Sequence, residues 1–331
     1  MARLSIVIPH ADSVGRLEST LVSVLENRPD DSQILVVQSE RYDDPYGLKD
    51  EVTFIYVPIG TDAVRCLNVG VDMAVAPVVH TLLPGLEVTP GWADAALGWF
   101  DDPSVASVAP LLLAGDSDRV VSAGLRYRAG GAVESAGQGL SVLEAFAQPP
   151  SIVGPDPRAA FYRRSLLRHV DRFCIGLDER MAGVDMALKL RQTAGRCVVE
   201  SNSRVHAVDP PKQPISAFRR AMQSERVFWR WASREKGLRR LLAHVGQVAV
   251  DVLSECPSPA MVGSLLGHAL GTCLIPSHRH EHAALMRIDP EEDGGSSHIL
   301  QGPHFATRDD VAADGFTEDG VSREMYLSRT A

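Results

Sequence analysis

The chain has few cysteines, and none of them has the spacing of a metal site or a disulfide framework. Five cysteines are scattered along 331 residues, odd in number and without a CxxC pair: Cys66, Cys174, Cys197, Cys256 and Cys273. Small disulfide-stapled domains and zinc sites show paired cysteines at short spacing. We therefore expect reduced thiols and a cytoplasmic protein.

The chain also lacks an excess of positive charge. Its formal net charge is −9, which gives no reason to expect a nucleic-acid partner. The charge is uneven, however, because Ser216–His244 carries eight Lys or Arg against two Glu. The chain after Ala284 carries ten Asp or Glu against four Arg.

No apolar run is long enough to predict a membrane span. The longest uncharged run, Cys256–Ser277, contains Pro257, Pro259 and three glycines, and falls short of the ~20 strongly apolar residues that a span requires. We expect a buried or interfacial helix there. The first residues, Met1–Pro9, run directly into a strand pattern, so we expect no signal peptide.

The first half of the chain alternates apolar runs with amphipathic stretches. The hydrophobic share of 45% and the charged share of 23% are typical of a globular domain. Predicted strands are Leu4–Pro9, Ile34–Val37, Val52–Val57, Val78–Leu83 and Ser107–Leu113. Helical patterns separate most of them, which predicts an α/β domain with a mostly parallel sheet. Ligands of such sheets bind beyond the carboxyl ends of the strands, here near Pro9–Asp12, Gln38–Glu40 and Leu83–Glu87.

The second half has a different pattern. Loops rich in small residues fill Asp116–Pro157, as in a segment that covers an active site. Ile215–Gly237 predicts a basic helix, followed by helices at Leu238–Leu253 and Met261–Leu274. The acidic remainder is rich in Gly, Asp and Ser without periodicity, which predicts disorder. We predict three parts: a domain over residues 1–212, a helical extension over 213–283 and a disordered tail over 284–331.

One stretch, Gly176–His206, carries the best candidate for chemistry. Asp185 stands at the start of a predicted amphipathic helix, Cys197–Val199 reads as a short strand, and His206 follows it. A carboxylate at a helix start is stabilised by the helix dipole and by free N–H groups. Asp185 is then either an N-cap on a surface helix or an ionised base that accepts a proton from a substrate hydroxyl.

Three segments in order resemble the family 2 glycosyltransferases of the GT-A fold. LSIVIPHADSVGRLESTLVSVL resembles the family's opening strand and helix, and LNVGVDMAVAPVVHTLLPGLEVTPGW its asparagine–glycine helix, central strand and metal-motif region. RAAFYRRSLLRHVDRFCIGLDERMAGVDMALKLRQTAG resembles its acceptor-side region. The resemblance spans Leu4–His206 and implies a GT-A-like, Rossmann-like sheet flanked by helices, here with a C-terminal helical extension.

The resemblance implies that a sugar moves from a nucleotide-sugar donor to an acceptor hydroxyl on a glycan or a lipid-linked molecule. Asp185 falls on the general base of inverting members, although the neighbouring acids of that motif are Val184 and Ala187 here. An alternative is a catalytically degenerate GT-A protein that binds a glycan, a nucleotide or another protein.

The same resemblance implies a set of donor-binding positions: Pro9, Asp12, Gln38, Asn68, Gly70, Glu87 and Arg191. Gln38 replaces the usual aspartates, but its amide both donates and accepts hydrogen bonds and can meet a base edge. Gly70 fits tight helix packing nearly as well, and Arg191 fits a solvated helix face.

The metal motif departs from the family. The two acids that normally hold Mg²⁺ or Mn²⁺ are replaced within Leu83-Pro84-Gly85, and the remaining candidates are Glu87 and His206. His206 fits a structural histidine as well as a ligand. A hard divalent cation needs at least one or two carboxylates. The sequence predicts weak metal binding or another source of positive charge, such as Arg163, Arg164 or the basic helix.

Two further features stay open from the sequence. The basic, aromatic helix is consistent with peripheral contact at the inner face of the membrane through residues 216–240, or with Phe228 and Trp231 docked on the core. His278, His280 and His282 have a spacing that a metal site could use, or they lie in a solvated loop.

Overall fold

A computed structural model describes residues 2–10, 13–147, 151–208, 215–232 and 237–285. Asp12 and the acidic residues beyond 285 lie outside these ranges. The strands are β1 Leu4–His10, β2 Ser32–Gln38, β3 Val52–Tyr56, β4 Val78–Leu82, β5 Leu86–Val88, β6 Val105–Ala114, β7 Val120–Ser122, β8 Leu125–Tyr127, β9 Val133–Ser135, β10 Ala159–Arg163 and β11 Arg196–Ala207. The helices are α1 Val14–Asn27, α2 Ala63–Met73, α3 Trp92–Leu97, α4 Val142–Ala145, α5 Arg164–His169, α6 Glu179–Gln192, α7 Ala217–Trp231, α8 Gly237–Ser254, α9 Ala260–Cys273 and α10 Ile275–Leu285.

A nine-stranded sheet forms the centre of the molecule. Its order is β3-β2-β1-β4-β10-β6-β11-β5, with β7 paired to β6. β1 to β4 pair in parallel, as do β6 and β11, while β10 runs antiparallel between the two groups. Six strands therefore point one way and β5, β7 and β10 point the other. The predicted, mostly parallel sheet is confirmed.

Helices cover both faces of this sheet. Successive strand residues point to opposite faces, so Ile6 packs with the cluster that contains α1 and α3, and Val7 with the cluster that contains α2 and α6. Apolar residues of β1 are buried on both faces, which explains why this strand reads as a continuous apolar run. Gly70 of α2 lies so close to the sheet that an added Cβ would be 2.1 Å from Val7 Cγ1.

Three sequence predictions about local structure differ from the structure. The helix predicted from Asp185 begins at Glu179 with Asp178 as its N-cap, because the Asp178 carboxylate accepts a hydrogen bond from the Met181 N–H at 2.9 Å. The strand predicted at Cys197–Val199 is present but is only the beginning of the longer β11, which pairs along β6. Residues 278 to 282 are part of α10 rather than a loop.

The C-terminal helices pack on one another and on α6. Phe228 of α7 is 4% exposed, and Trp231 packs against the core on the α6 side. The aromatic side chains of α7 therefore point inward, as the second of the two sequence readings expected. Within the described ranges, no single helix is long and apolar enough to cross a membrane, and one bent pair, α9 with residues 275–283, meets the length and composition test.

A buried ionic cluster joins the C-terminal helices to the β8–β9 hairpin. Glu225 Oε1 accepts hydrogen bonds from His244 Nε2 at 2.9 Å and from His268 Nδ1 at 2.7 Å, and the other ring nitrogen of His244 lies 2.8 Å from the Gly130 carbonyl oxygen. Both ring nitrogens of His244 thus face acceptors, so both donate only when the ring is protonated. The cluster holds α7, α8, α9 and the hairpin turn together through a charged imidazole.

We expect this cluster to make stability depend on pH. Burial acts to lower the pKa of His244, but the hydrogen bonds to Glu225 and Gly130 outweigh it and the pKa is raised from 6.5. A raised pKa in the folded state gives stability that is present below the unfolded value and is lost as pH rises through the folded value. His244→Gln should therefore lower the melting temperature more at pH 5.5 than at pH 9, measured by differential scanning calorimetry. An equal loss at both values would contradict a protonated His244.

Candidate functional site

A cleft lies where the chain reverses its direction across the sheet. From β1 the chain passes through α1 to β2 on one side, and later through α2 to β4 on the other side. A crevice at such a switch point is the usual ligand site of open α/β sheets. Pro9 at the end of β1 and Leu83 and Pro84 after β4 line a cleft of about 1130 Å³.

The turn after β4 is held by two arginines at the floor of this cleft. The Leu83 N–H donates to the Arg158 carbonyl at 2.8 Å, and the Gly85 N–H donates to the Arg16 carbonyl at 3.2 Å and to Thr20 Oγ1 at 3.0 Å. Arg16 and Arg158 both line the cleft, and the Arg158 guanidinium is bound by the Asp156 carboxylate at 2.6 and 2.9 Å. Two arginine residues therefore flank the turn through their backbone carbonyls, and the charge of one of them is already paired.

Two helix starts also line the cleft. Ser13 and Arg16 belong to the start of α1, and Asp62 and Ala63 to the start of α2. Helix N-termini carry free N–H groups and a partial positive charge, which favour anions. The start of α2 is already capped by the Asp62 carboxylate, which accepts the Arg65 N–H at 2.9 Å, so the start of α1 together with Arg16 suits a diphosphate.

Carboxylates line the same cleft. Asp178 and Glu179 at the start of α6 both border the cleft. Burial raises the pKa of the Glu179 carboxyl, repulsion from Asp178 and Asp62 adds to the rise, and Arg158 acts against it. Burial likewise raises the pKa of Asp178. Asp178 is committed to capping α6, whereas Glu179 is the carboxylate that can act as a base towards a bound molecule.

The C-terminal helices form the remaining wall. Arg219 and Arg220 of α7 line the cleft. Asp251 of α8, Glu255 just after α8 and His268 of α9 line it as well. The Arg220 guanidinium donates to Glu255 at 2.8 Å. The helical extension thus contributes polar groups to the same cleft as the sheet.

Asp185 does not reach the cleft in this structure. Its side chain is 0% exposed, accepts a hydrogen bond from Trp231 Nε1 at 2.8 Å, and lies 3.4 Å from Arg230 and 3.5 Å from Lys189. It is one turn and a half into α6 rather than at the start of the helix. The geometry surrounds the carboxylate with two cations and an indole of the protein itself.

The predicted donor-binding residues are separated by the fold. Pro9 lines the cleft, and Asp12 lies outside the described residues. Gln38 is 2% exposed at the end of β2, and within the described ranges its amide has no hydrogen-bond partner. Such a group suits a ligand that supplies the missing bonds.

Two other predicted donor contacts are used inside the protein. The Asn68 amide donates to the Phe173 carbonyl at 2.8 Å and accepts from the Phe173 N–H at 3.0 Å, which ties α2 to the segment before α6. Gly70 packs on Val7 as described above. Arg191 is exposed near the end of α6 and does not line the cleft. For Gly70 and Arg191 the contacts match the packing and solvated alternatives that the sequence left open.

The predicted metal ligands are neighbours but lie away from the cleft lining. Glu87 and His206 are directly paired between β5 and β11, and His206 Nδ1 is bonded to the Gly115 carbonyl. Among the described residues, no group of three or more His, Cys, Asp or Glu is placed to hold a metal ion, and this includes the histidines of α10. Two side chains, one of them bonded to a carbonyl, do not fit the oxygen-rich set that Mg²⁺ or Mn²⁺ prefers.

The two arginines proposed from the sequence as substitutes for a metal serve the fold instead. Arg163 donates to the carbonyls of Phe100, Asp102 and Val105, and Arg164 to the carbonyl of Ala74. The basic helix does contribute, through Arg219 and Arg220 at its first turn. Arg16, Arg158 and Glu179 are not among the site residues predicted from the sequence. Their only signals there are their positions after β1, just before β10 and just after the Asp178 cap.

Comparisons with known proteins place this architecture among GT-A folds. No protein-family profile matches the chain, and no curated protein sequence does. Solved structures do match. One is GalNAc-T7 with UDP, GalNAc and Mn²⁺, which is 14% identical to this chain and superposes with a TM-score of 0.54. The match covers 78% of this chain and 58% of that chain. The chain thus spans little more than half of GalNAc-T7.

Two other structures match over most of both chains. The mannosyltransferase PcManGT from Pyrobaculum calidifontis, in complex with GDP-Man and Mn²⁺, matches at 16% identity and a TM-score of 0.52, with 86% of this chain and 85% of that chain covered. Residues 1–349 of S. aureus TarS match at 12% identity and a TM-score of 0.55, with 86% of this chain and 88% of that chain covered. The chain has the GT-A fold.

Proposed function

We propose that the protein is a nucleotide-sugar-dependent glycosyltransferase that works by inversion in the cleft between β1, β4 and α6. The observation that carries the proposal is the cleft itself: it lies at the switch point of a GT-A sheet and is lined by arginines and by a carboxylate of raised pKa. Attack by an acceptor hydroxyl on the anomeric carbon requires these two features, one for the departing diphosphate and one for the proton.

The donor diphosphate would lie against the turn at Leu83–Gly85. Arg16 and Arg158 flank this turn through their carbonyls, and the N-terminus of α1 borders the same cleft. Gln38 pairs with His10 at the end of β1 and is buried outside the cleft lining, so its unpartnered amide would meet the nucleoside base only after the side chain turned into the cleft. UDP and GDP-Man are the nucleotides present in the similar structures named above, and we propose a donor of this class here.

We infer that Glu179, rather than the sequence-predicted Asp185, accepts the proton of the acceptor hydroxyl. Glu179 borders the cleft, and the raised pKa of its carboxyl makes it a stronger base than an ordinary glutamate. Asp185 would serve only if α7 moved and released Trp231 and Arg230 from its carboxylate. Either base gives in-line attack and inversion.

The donor set around the Leu83–Gly85 turn favours arginines over a divalent cation as the source of positive charge. The turn offers no carboxylate, and Glu87 and His206 lie outside the cleft lining. Arginine supplies a permanent positive charge and a planar pair of donors that suits phosphate oxygens. No step of the proposed reaction runs through a metal.

Isothermal titration with UDP-, GDP- and dTDP-sugars tests the donor site. One of them should bind saturably, and replacing Mn²⁺ by EDTA should change the dissociation constant less than about threefold, since fixed arginines supply the charge. Arg16→Gln should weaken binding about tenfold or more, because it removes a charge-assisted contact of ~1.5–3 kcal/mol. Arg191→Gln, an exposed arginine on α6, is the matched control and should bind as the wild type does.

The outcomes separate the proposals. Binding that disappears in EDTA would refute arginine compensation, and equal loss in Arg16→Gln and Arg191→Gln would move the diphosphate elsewhere. Absence of binding to every nucleotide-sugar would favour the degenerate, binding-only alternative. Slow donor hydrolysis that needs Glu179 would support an enzyme even before the acceptor is known.

A further inference from the structure

Helix α8 is amphipathic, and its polar side faces the protein. His244 is buried against Phe228 and Glu225, while Gln247 and Asp251 line the cleft. The opposite side carries four large apolar residues that are mostly in solvent: Leu238 at 71%, Leu242 at 63%, Val245 at 59% and Leu253 at 68% exposure. At 3.6 residues per turn these four lie on one face of the helix.

Helix α9 has the same inverted arrangement. Its inward side is small or polar: Ser264, Gly267, His268 and Gly271 are buried. An added Cβ on Gly267 would be 2.4 Å from the Phe218 carbonyl oxygen, so α9 packs closely on α7 through this side. Its large residues point outward, with Val262, Leu265, Leu266 and Leu270 all between 48% and 55% exposed.

These two helices create a broad apolar surface beside the cleft. We call the eight outward residues of α8 and α9 named above the apolar face. Helices of a water-soluble protein normally bury their apolar side, and large contiguous apolar patches mark interaction sites. Burying each such side chain is worth about 1.5–3 kcal/mol, so contact with an apolar phase would be strongly favourable.

The charges around the apolar face indicate an anionic lipid surface as its partner. Arg239 is exposed directly between Leu238 and the rest of α8, and Arg219 is exposed at the start of α7. Arg220, Arg226 and Arg230 of the same region are bound by Glu255, Glu281 and Asp185, so the exposed Arg219 and Arg239 supply this positive border. An apolar helix face bordered by Arg or Lys is the pattern of helices that lie in the interface of anionic membranes.

The other possible occupants fit less well. The residues after 285 are rich in Gly, Asp and Ser and have no helical apolar period with which to match two helices. A second copy of the chain would bring the basic borders of two identical faces together, which costs energy. Neither supplies both apolar contact and negative charge.

We propose that the apolar face of α8 and α9 docks into the interface of an anionic lipid bilayer. Because the inner sides of the same helices line the cleft, docking would hold the cleft close to the membrane surface. The acceptor would then be a hydroxyl of a lipid-linked molecule, a consequence that rests on the proposed glycosyltransferase function. The contact differs from the one predicted from the sequence, since α7 turns its aromatic residues inward and α8 and α9 supply the surface.

Sedimentation of the full chain with lipid vesicles, in the absence of any nucleotide-sugar, tests the docking. Vesicles of phosphatidylcholine with phosphatidylglycerol should bind it, and pure phosphatidylcholine vesicles should bind it more weakly. The double variant Leu242→Ser with Val245→Ser should reduce partitioning at least about tenfold, because two buried apolar side chains are lost. The matched control is Ile59→Ser with Leu143→Ser, at positions 84% and 85% exposed elsewhere on the molecule, which should change binding less than twofold.

Each other outcome overturns the proposal and identifies the occupant. A dimer in sedimentation velocity that the Leu242→Ser, Val245→Ser variant converts to a monomer, without vesicle binding, would assign the face to a second copy. A monomer that binds neither vesicles nor a hydrophobic dye would assign it to the chain's own residues beyond 285. Equal loss in the control variant would make the binding nonspecific. Donor binding is measured separately, without lipid. A failed docking experiment therefore does not contradict the proposed donor site, and a failed donor titration does not contradict the docking.

Discussion

Glu179→Gln should lower the rate of sugar transfer by about 10²–10⁴-fold while leaving the dissociation constant of the donor within about threefold of the wild-type value. Glutamine keeps the size of the side chain and cannot accept the proton of the acceptor hydroxyl. Glutamine also adds no new charge, so the donor diphosphate should still bind. Initial rates with a saturating donor, together with calorimetric titration, separate the two effects.

A pH profile gives this prediction a second readout. The pKa of Glu179 is raised, so transfer by the wild type should fall as pH drops through this raised value. The residual rate of Glu179→Gln should lose this acidic limb. Glu40→Gln, an exposed glutamate after β2, is the control and should keep both rate and profile. A wild-type profile in Glu179→Gln would return the role of base to another carboxylate.

The central strands were predictable because burial on both faces leaves a mark in the sequence. β1, β2 and β4 are buried along most of their length, and each reads as an apolar run of the correct extent to within two residues. The helix between β3 and β4 was equally clear, since its apolar residues recur at helical spacing. The spacing of apolar residues within each short stretch is enough to predict these strands and this helix.

The start of α6 was not predictable in the same way. Gly183 in the middle of the helix makes a later start at Asp185 look reasonable, since glycine disfavours a helix interior. The structure gives this glycine a different reason: an added Cβ would be 2.5 Å from Pro157 Cδ. The constraint comes from a residue 26 positions away and leaves no local pattern.

The cleft residues likewise leave no local pattern in the sequence. Arg16, Arg158 and Glu179 come from three distant parts of the chain, and none of them belongs to a short motif. The Arg16 and Arg158 backbones meet at the Leu83–Gly85 turn only after β1, β4 and β10 have paired. The sequence identified the turn as the place where charge is missing, and the residues proposed to supply it come together only in the fold.

Asp185→Asn should destabilise the protein by about 3–5 kcal/mol and lower its melting temperature on the order of 10 °C. The carboxylate is fully buried between Lys189 and Arg230, whose side chains are only 4% and 5% exposed, and it accepts the Trp231 indole bond. Removing its charge leaves two buried cations without their shared partner. Urea unfolding followed by circular dichroism, with a thermal scan, measures both quantities.

The matched control for this prediction is Asp72→Asn, the same substitution in an exposed ion pair with Arg172, whose loss should cost less than about 1 kcal/mol. Stability and catalysis then discriminate the two readings of Asp185. If Asp185 is a structural counter-ion, Asp185→Asn loses stability, and transfer by the fraction that stays folded falls far less than in Glu179→Gln. If stability is unchanged and transfer is abolished, α7 must leave Asp185 during the reaction, and the sequence-based assignment of the base is correct.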